Sequence, residues 1–452
     1  MIEEEHVAQL ATSGKVLVGW NPEDEQHWDS RIAWRTLAVS TYSLLIAFCV
    51  WYLVSAVAPK LDEVGFSLSK AQLYWLVAIP GLSGGLIRLV YMFLPPLVGT
   101  RKLVGVTSLL LVVPMLGWFT AVGNPATPYW WLIVLAALTG IGGGCFSGYM
   151  PSTGYFFPKR LAGTALGLQA GLGNFGVSLI QFLGPWVMGF GLFGLGMVGT
   201  QHARSGHVLN VYNAAIVLVP WTVAASVLAF WLLKDVPIKA NMRQQIDIFG
   251  NRNTWFLTLV YIMTFGAFSG FAAQLALIIN NTFGKDSPFA TGGHYPASSL
   301  PLGASFAFLA PLIGSLVRAV WGPLCDRFGG AIWTFVGGVG MVVSTAVAAV
   351  YLAPRSPADF WPFLAAMLVM FFFTGMANAG TFKQMPMILP PRQAGGVIGW
   401  TAAIASFGPF FVGVSLTAVT PKSFFVGATV YFALCTALVW INYARPRAPY
   451  PG

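Results

Sequence analysis

The segment AGTALGLQAGLGNFG, residues 162–176, returns 232 positions later as AGGVIGWTAAIASFG, residues 394–408. Ala162 falls on Ala394, Gly163 on Gly395, Gly167 on Gly399, Ala170 on Ala402, Phe175 on Phe407 and Gly176 on Gly408. In the same register Gly148 meets Gly380, Pro158 meets Pro390 and Arg160 meets Arg392. An offset of 230 then aligns Arg88 with Arg318, Tyr91 with Trp321, Leu94 with Leu324 and Gly99 with Gly329. The chain is therefore written twice, and the two copies share glycines and two arginines each, of which Arg88 and Arg318 lie inside apolar stretches.

Composition says in which solvent the repeat folds. Hydrophobic residues make up 56% of the 452, charged residues only 8%, and mean hydropathy is +0.72. Soluble domains are about a quarter charged. Apolar stretches long enough for a hydrocarbon core of about 30 Å recur at 37–58, 71–96, 103–121, 129–151, 162–189, 210–233, 254–280, 300–325, 331–352, 360–386, 394–419 and 423–443. The expected fold class is all-α integral membrane, with twelve transmembrane helices in two pseudo-symmetric six-helix bundles. The organisation reads as an N-terminal segment 1–32, a first bundle 33–233, a charged linker 234–253, a second bundle 254–443 and a tail 444–452. Parallel repeats with a ligand held between them at mid-membrane are transporter architecture.

Of the 24 Lys and Arg residues, 15 fall on the side holding both ends, 6 on the other and 3 (Arg88, Arg318, Lys383) within the membrane. The excess of basic loops favours cytoplasmic N and C termini. It also accounts for the net charge of +10 without nucleic acid, because such loops face anionic lipid. The start, with Glu3, Glu4 and Glu5, lacks the basic region and short apolar core of a cleavable signal. Cys49, Cys145, Cys325 and Cys435 all lie in apolar helices without CxxC or Cys/His spacing, so neither disulfide nor metal is expected and no cofactor is implied.

Arg88 and Arg318 decide the chemistry. Placing one arginine at bilayer depth costs about 2.5–3.5 kcal/mol even on the lenient insertion scale, and such residues mark functional sites. Snorkelling is the bland alternative. From Arg88 to Leu97 and from Arg318 to Asp326 is eight or nine residues, roughly 12–14 Å of helix, beyond the comfortable reach of the side chain. With no carboxylate in any membrane segment to pair with them, the missing partner is an anion. A planar guanidinium offers paired N–H donors that match a flat oxyanion two oxygens at a time.

The glycines suit helices that approach closely in lipid: Gly163, Gly167 and Gly171 form a GxxxGxxxG stripe whose spacing partly recurs at Gly395 and Gly399. Static packing explains any one of them; the doubling favours gating. Two enzyme-like motifs do not survive their context. GLSGG (81–85) lies within a helix and not at a nucleophile elbow, and GLGNFG (171–176) has no preceding strand. No enzyme is expected.

The residues resemble the nitrate/nitrite porter family of the major facilitator superfamily along nearly the whole chain. GTALGLQAGLGNFGVS (163–178) and GGVIGWTAAIASFGPFF (395–411) resemble its two nitrate signatures. GPLCDRFGG (322–330) resembles the superfamily's loop 8–9 motif, and Trp20, Pro22, Glu23, Asp24 and Trp28 resemble the family's N-terminal segment. Departures are Gln169-Ala170 in place of Asn-Gly, Ala405-Ser406 in the second signature, and a loop 2–3 reading PPLVGTRK without the usual aspartate.

The resemblance implies that Arg88 and Arg318 clamp the anion, that Phe48, Phe146, Tyr261 and Phe265 line the site, that Asn174 reaches it, and that Gly163, Gly167, Gly171, Gly173, Gly176, Gly395, Gly399 and Gly408 belong to the gating signatures. For each aromatic, ordinary packing competes with that role in a chain of 35 phenylalanines. It implies nitrate and nitrite as partners, functional coupling to a nitrate reductase, a monomeric carrier and a cell (inner) membrane location.

Proton carriers usually keep Asp, Glu or His in the membrane, whereas the acids here and His6, His27, His202, His207 and His294 lie in loops, tails or helix ends. That favours exchange of nitrate for nitrite. The second reading is nitrate–proton symport through Lys383, which could equally snorkel to the interface; a receptor, or a carrier of another small anion, comes third.

Overall fold

The structure, a computed structural model, describes residues 14–191, 199–237, 247–284, 287 and 303–452. Glu3 to Glu5, His6, His294, the middle of the linker and the first residues of the stretch expected at 300–325 lie outside them. Among the described residues, twelve apolar helices carry the chain back and forth: α1 Ser30–Lys60, α2 Lys70–Tyr91, α3 Thr100–Val122, α4 Tyr129–Gly154, α5 Lys159–Met188, α6 Asn213–Leu232, α7 Arg252–Phe283, α8 Leu309–Phe328, α9 Gly330–Tyr351, α10 Pro357–Ile388, α11 Pro391–Ala418 and α12 Pro421–Ala444. Among the described residues, extended pairing is confined to two isolated bridges, Val16 with Asp235 and His202 with Val208. Within each half the closest packing is of α1 on α4 and α5, α2 on α4 and α3 on α6, then of α8 and α9 on α10 and α9 on α12. The halves meet along α2–α11 and α5–α8.

Local chemistry sets the helix ends. Asp29 accepts from the Arg31 amide at 2.7 Å to open α1, and Ser69 with Gln72 forms a reciprocal capping box for α2. Prolines divide the long helices. Pro114 leaves α3 broken at Leu111, and Pro409, which has no N–H to donate, separates α11 into Pro391–Ala405 and Gly408–Ala418. The repeat partner of Pro409 is Val177, and α5 runs through unbroken. Helix α8 begins at Leu309, after a short 3-10 turn at Gly303–Phe306, so residues 303–308 of the expected stretch are not part of it.

Residues 14–29 lie along the face where α1 starts, called here the basic face. The Trp20 indole donates to the Tyr155 carbonyl at 3.1 Å and that of Trp28 to Phe156 at 2.8 Å, while the Lys159 amide donates to Glu23 at 2.9 Å. On the same face Gly99 and Gly329, repeat partners, share a left-handed backbone (φ 85° in both) that only glycine adopts freely. Each opens the third helix of its half against a segment that follows the sixth. Asp235 accepts from the Arg101 amide at 2.8 Å, and the Gly452 carbonyl accepts from the Ala331 amide at 3.1 Å.

Across the opposite face the halves are bolted together. The Tyr52 hydroxyl donates to the Ser269 carbonyl (3.1 Å), the Gln181 amide to Ala272 (2.7 Å), the Ser178 hydroxyl to Phe308 (3.0 Å), and Gln274 and Asn281 to the Tyr74 carbonyl and hydroxyl (3.3 and 3.0 Å). Toward the basic face they splay. A methyl on Gly171 would meet Ala319 of α8 at 2.9 Å, yet one on Gly167, Gly163 or Gly322 would meet nothing within 4 Å. In α11, Gly399 still faces Met92 while Gly395 faces open space. The molecule is closed on one side and open on the basic side.

Candidate functional site

Arg88 is fully buried, and glycine puts it there. The run Gly140 to Gly144 of α4 lets α1 and α2 press against the α4 backbone: a Cβ on Gly143 would strike Trp51, and one on Gly144 would strike Ile87. The Gly143 carbonyl is thereby exposed to Arg88, whose Nε donates to it at 2.8 Å, while Nη1 donates across to the Ala402 carbonyl of α11 at 2.9 Å. Three rings surround this guanidinium, Trp51, Phe146 and Phe265, at 5.2, 4.8 and 5.3 Å. Arg318, 5% exposed on α8, sits over Phe265 at 5.9 Å and Phe382 at 5.6 Å.

Phe265 is common to both cations, so their centres lie at most about 11 Å apart. At an effective dielectric near 20, two unit charges at about that distance repel by roughly 1.5 kcal/mol. Nη2 of Arg88 and both η nitrogens of Arg318 have no hydrogen-bond partner in the protein, and neither do the Tyr261 hydroxyl and Asn174 Oδ1, all buried. Buried polar groups are almost always paired. The two guanidiniums thus hold unpartnered N–H groups around one ring, Phe265, an arrangement that can receive the oxygens of an anion.

All four aromatics expected from the sequence belong to one row. Phe48 stacks on Phe146, Phe146 on Phe265 and Phe265 on Tyr261, with centroids 6.2, 6.2 and 5.6 Å apart and interplanar angles of 26°, 25° and 15°. The row starts on α1, passes through α4 and ends on α7, crossing from one half to the other. On α7 it sits at a π-helical turn, Ile262–Gly266, a distortion that recurs at functional sites. Gly408 is packed against the Gly266 carbonyl of that turn.

The glycine signatures separate into two groups. Gly173 and Gly176 seat α5 against Leu44, Leu45 and Phe48 of α1 in the first half, and Gly408 seats α11 on α7 in the second. Gly163, Gly167 and Gly171, with Gly395 and Gly399, border the splayed interface. Trp51, Phe382 and the carbonyls of Gly143 and Ala402 are the site residues that sequence reasoning missed. Trp51 follows Phe48 by three residues on one helical face, a signal that was available; the carbonyls leave none.

Lys383 stands apart from this site. Its ammonium lies at the basic end of α10, 37% exposed, and pairs with Asp326 at the end of α8. The repeat partners of that ion pair are Pro96 and Pro151.

The sequence pattern of the Major Facilitator Superfamily matches residues 41–320. A probable nitrate/nitrite antiporter, NarK2 of Thermus thermophilus, is 50% identical over 98% of this chain and 99% of its own. This chain belongs to the nitrate/nitrite porter family. The nitrate/nitrite transporter NarU of Escherichia coli K12 is 31% identical over 96% of the chain and 97% of its own. The nucleoside transporter NupG, at 8% identity, superimposes with a TM-score of 0.62 over 89% of the chain and 98% of its own, a likeness of fold alone. The candidate site falls where the two halves face each other.

Proposed function

We propose that the protein carries nitrate and nitrite across the membrane by alternating access, taking nitrate in as nitrite leaves, with Arg88 and Arg318 gripping the anion. The observation that carries the reading is the pair of buried guanidiniums with unpartnered N–H groups, 5.3 and 5.9 Å from the one ring of Phe265. The bundles 33–233 and 254–443 rock about the site, joined by 234–253, and the basic face is the cytoplasmic one in the cell membrane. Phe48, Phe146 and Tyr261 fence the anion from water, so each charge-assisted hydrogen bond acts in a low local dielectric. Asn174 adds a contact from the first signature. A monomer suffices, because the site is built within one chain, and a nitrate reductase on the inner side would supply the nitrite that leaves.

Exchange is favoured over symport because Lys383 is ion-paired at the interface. The test is nitrate uptake into proteoliposomes with and without internal nitrite, at zero and at imposed pH gradient. Stimulation by internal nitrite with no response to the gradient is expected. Gradient-driven uptake into nitrite-free vesicles would establish symport and return Lys383 to the mechanism, and no nitrate movement would pass the site to another anion.

A further inference from the structure

The two arginines are repeat partners, but the protein treats them differently. Arg318 keeps both η nitrogens free, whereas Arg88 gives Nε to Gly143 of its own half and Nη1 to Ala402 of the other. A guanidinium grips a planar anion through a side-on fork, Nε with Nη2, or an end-on fork, Nη1 with Nη2. Gly143 occupies the first. The second uses one of the two N–H groups of Nη1, the nitrogen that also holds Ala402.

Three features make the Ala402 carbonyl available. Helix α11 is interrupted ahead of Pro409, and at the interruption the Ser406 amide is divided between Ala402 (3.3 Å) and Ala403 (3.2 Å) and holds neither carbonyl well. The repeat partner of Ala402 is Ala170, inside unbroken α5, and Arg318 has no such acceptor. Finally, Gly81 and Gly85 of α2, the GLSGG motif set aside above, seat the break: a Cβ on Gly81 would lie 2.7 Å from Pro409, and one on Gly85 2.5 Å from the Phe407 ring.

We infer that the Ala402 carbonyl holds the Nη1 N–H that points into the end-on fork and is thus a built-in counter-ligand of Arg88, which the anion displaces to obtain a two-pronged grip. Arg318 takes the anion first, and Arg88 completes the site by exchanging Ala402 for the anion. Without an anion, rocking the halves would strip Nη1 of its acceptor in a low-dielectric interior, where an unpaired donor is costly; with an anion bound, the acceptor travels with the site. The counter-ligand thus opposes return of the unloaded carrier. This inference rests on the exchange reading above and assigns Ala402, Ser406, Phe407, Pro409 and Gly85 as positioning residues.

The test weakens one backbone acceptor in the full-length protein. Replacing Ala403 by lactic acid turns the Ala402 carbonyl into an ester, a poorer acceptor; replacing Ala402 by lactic acid does the same to Thr401, which Arg88 does not touch, and serves as control. Nitrate affinity is read by ligand-dependent thermal shift, and coupling by the ratio of nitrate uptake into nitrite-loaded and nitrite-free vesicles. The Ala403 replacement is expected to bind nitrate about tenfold more tightly than the control and to lower the ratio by a similar factor. Gly85→Ala, which pushes Phe407 and α11 away, should act in the same direction and be reversed by adding Phe407→Ala. Equal affinity and equal ratio in the two ester proteins overturn the inference while leaving exchange intact; a wild-type protein that neither binds nor exchanges nitrate overturns exchange, and the counter-ligand with it.

Discussion

At the scale of single residues, shape outweighs charge. Lysine keeps the positive charge of arginine but loses the planar fork, so Arg88→Lys and Arg318→Lys are each expected to lower nitrate kcat/KM about tenfold or more in proteoliposomes. Near-normal transport in both would remove the fork from the mechanism. Phe382→Ala strips one of the two rings facing Arg318; a cation–π contact of about 0.5–2 kcal/mol predicts a several-fold rise in nitrate Kd, with nitrate-independent thermal stability changing separately. The arginines were legible in the sequence because a charge without a partner is conspicuous in an apolar chain. Phe382 was not, because one phenylalanine among 35 carries no mark, and the carbonyls of Gly143 and Ala402 were invisible because a backbone acceptor is present at every residue and only packing selects which are exposed.

At the scale of elements, the repeat was legible but its asymmetries were not. The halves share left-handed Gly99 and Gly329, yet the ion pair of Asp326 with Lys383 in one is replaced by Pro96 and Pro151 in the other. The carboxylate absent from loop 2–3 is supplied by Asp235, at the end of α6, which caps α3 and pairs loosely with Arg101 at 3.6 Å. Asp235→Ala is predicted to cost about 1 kcal/mol through the lost cap and to lower Tm in detergent, while Asp235→Asn keeps an acceptor and most of the stability. The glycine stripe makes a second forecast. Gly167 has open space before it, so Gly167→Leu should leave Tm and nitrate binding close to wild type yet abolish transport, since α5 could no longer meet α8 when the basic face shuts. Preserved transport would mean that the stripe packs but does not gate.

At the scale of the whole molecule, the twelve spans followed from counting apolar residues, whereas which face is shut did not, because the same sequence must form both closures. Cys49, Cys145, Cys325 and Cys435 are buried, so an engineered thiol can report the state against a quiet background. Gly395→Cys is expected to react with an impermeant maleimide from the basic face and to be slowed when nitrate binds; equal rates with and without nitrate would argue that binding does not move the halves.

The closed face is held by hydroxyls and carboxamides donating to backbone oxygens and to a phenol. None of these groups carries a charge, so none attracts a counter-ion cloud, and Debye screening, which weakens exposed ion pairs within about 10 Å at 0.1 M salt, does not act on these bonds. Under the proposed orientation this is the face that meets the outside medium, whose salinity and acidity the cell does not control. A closure built from neutral donors keeps its strength in brine and in fresh water alike, so the poise between inward and outward states should be a property of the protein and its anions, and not of the surroundings it draws them from.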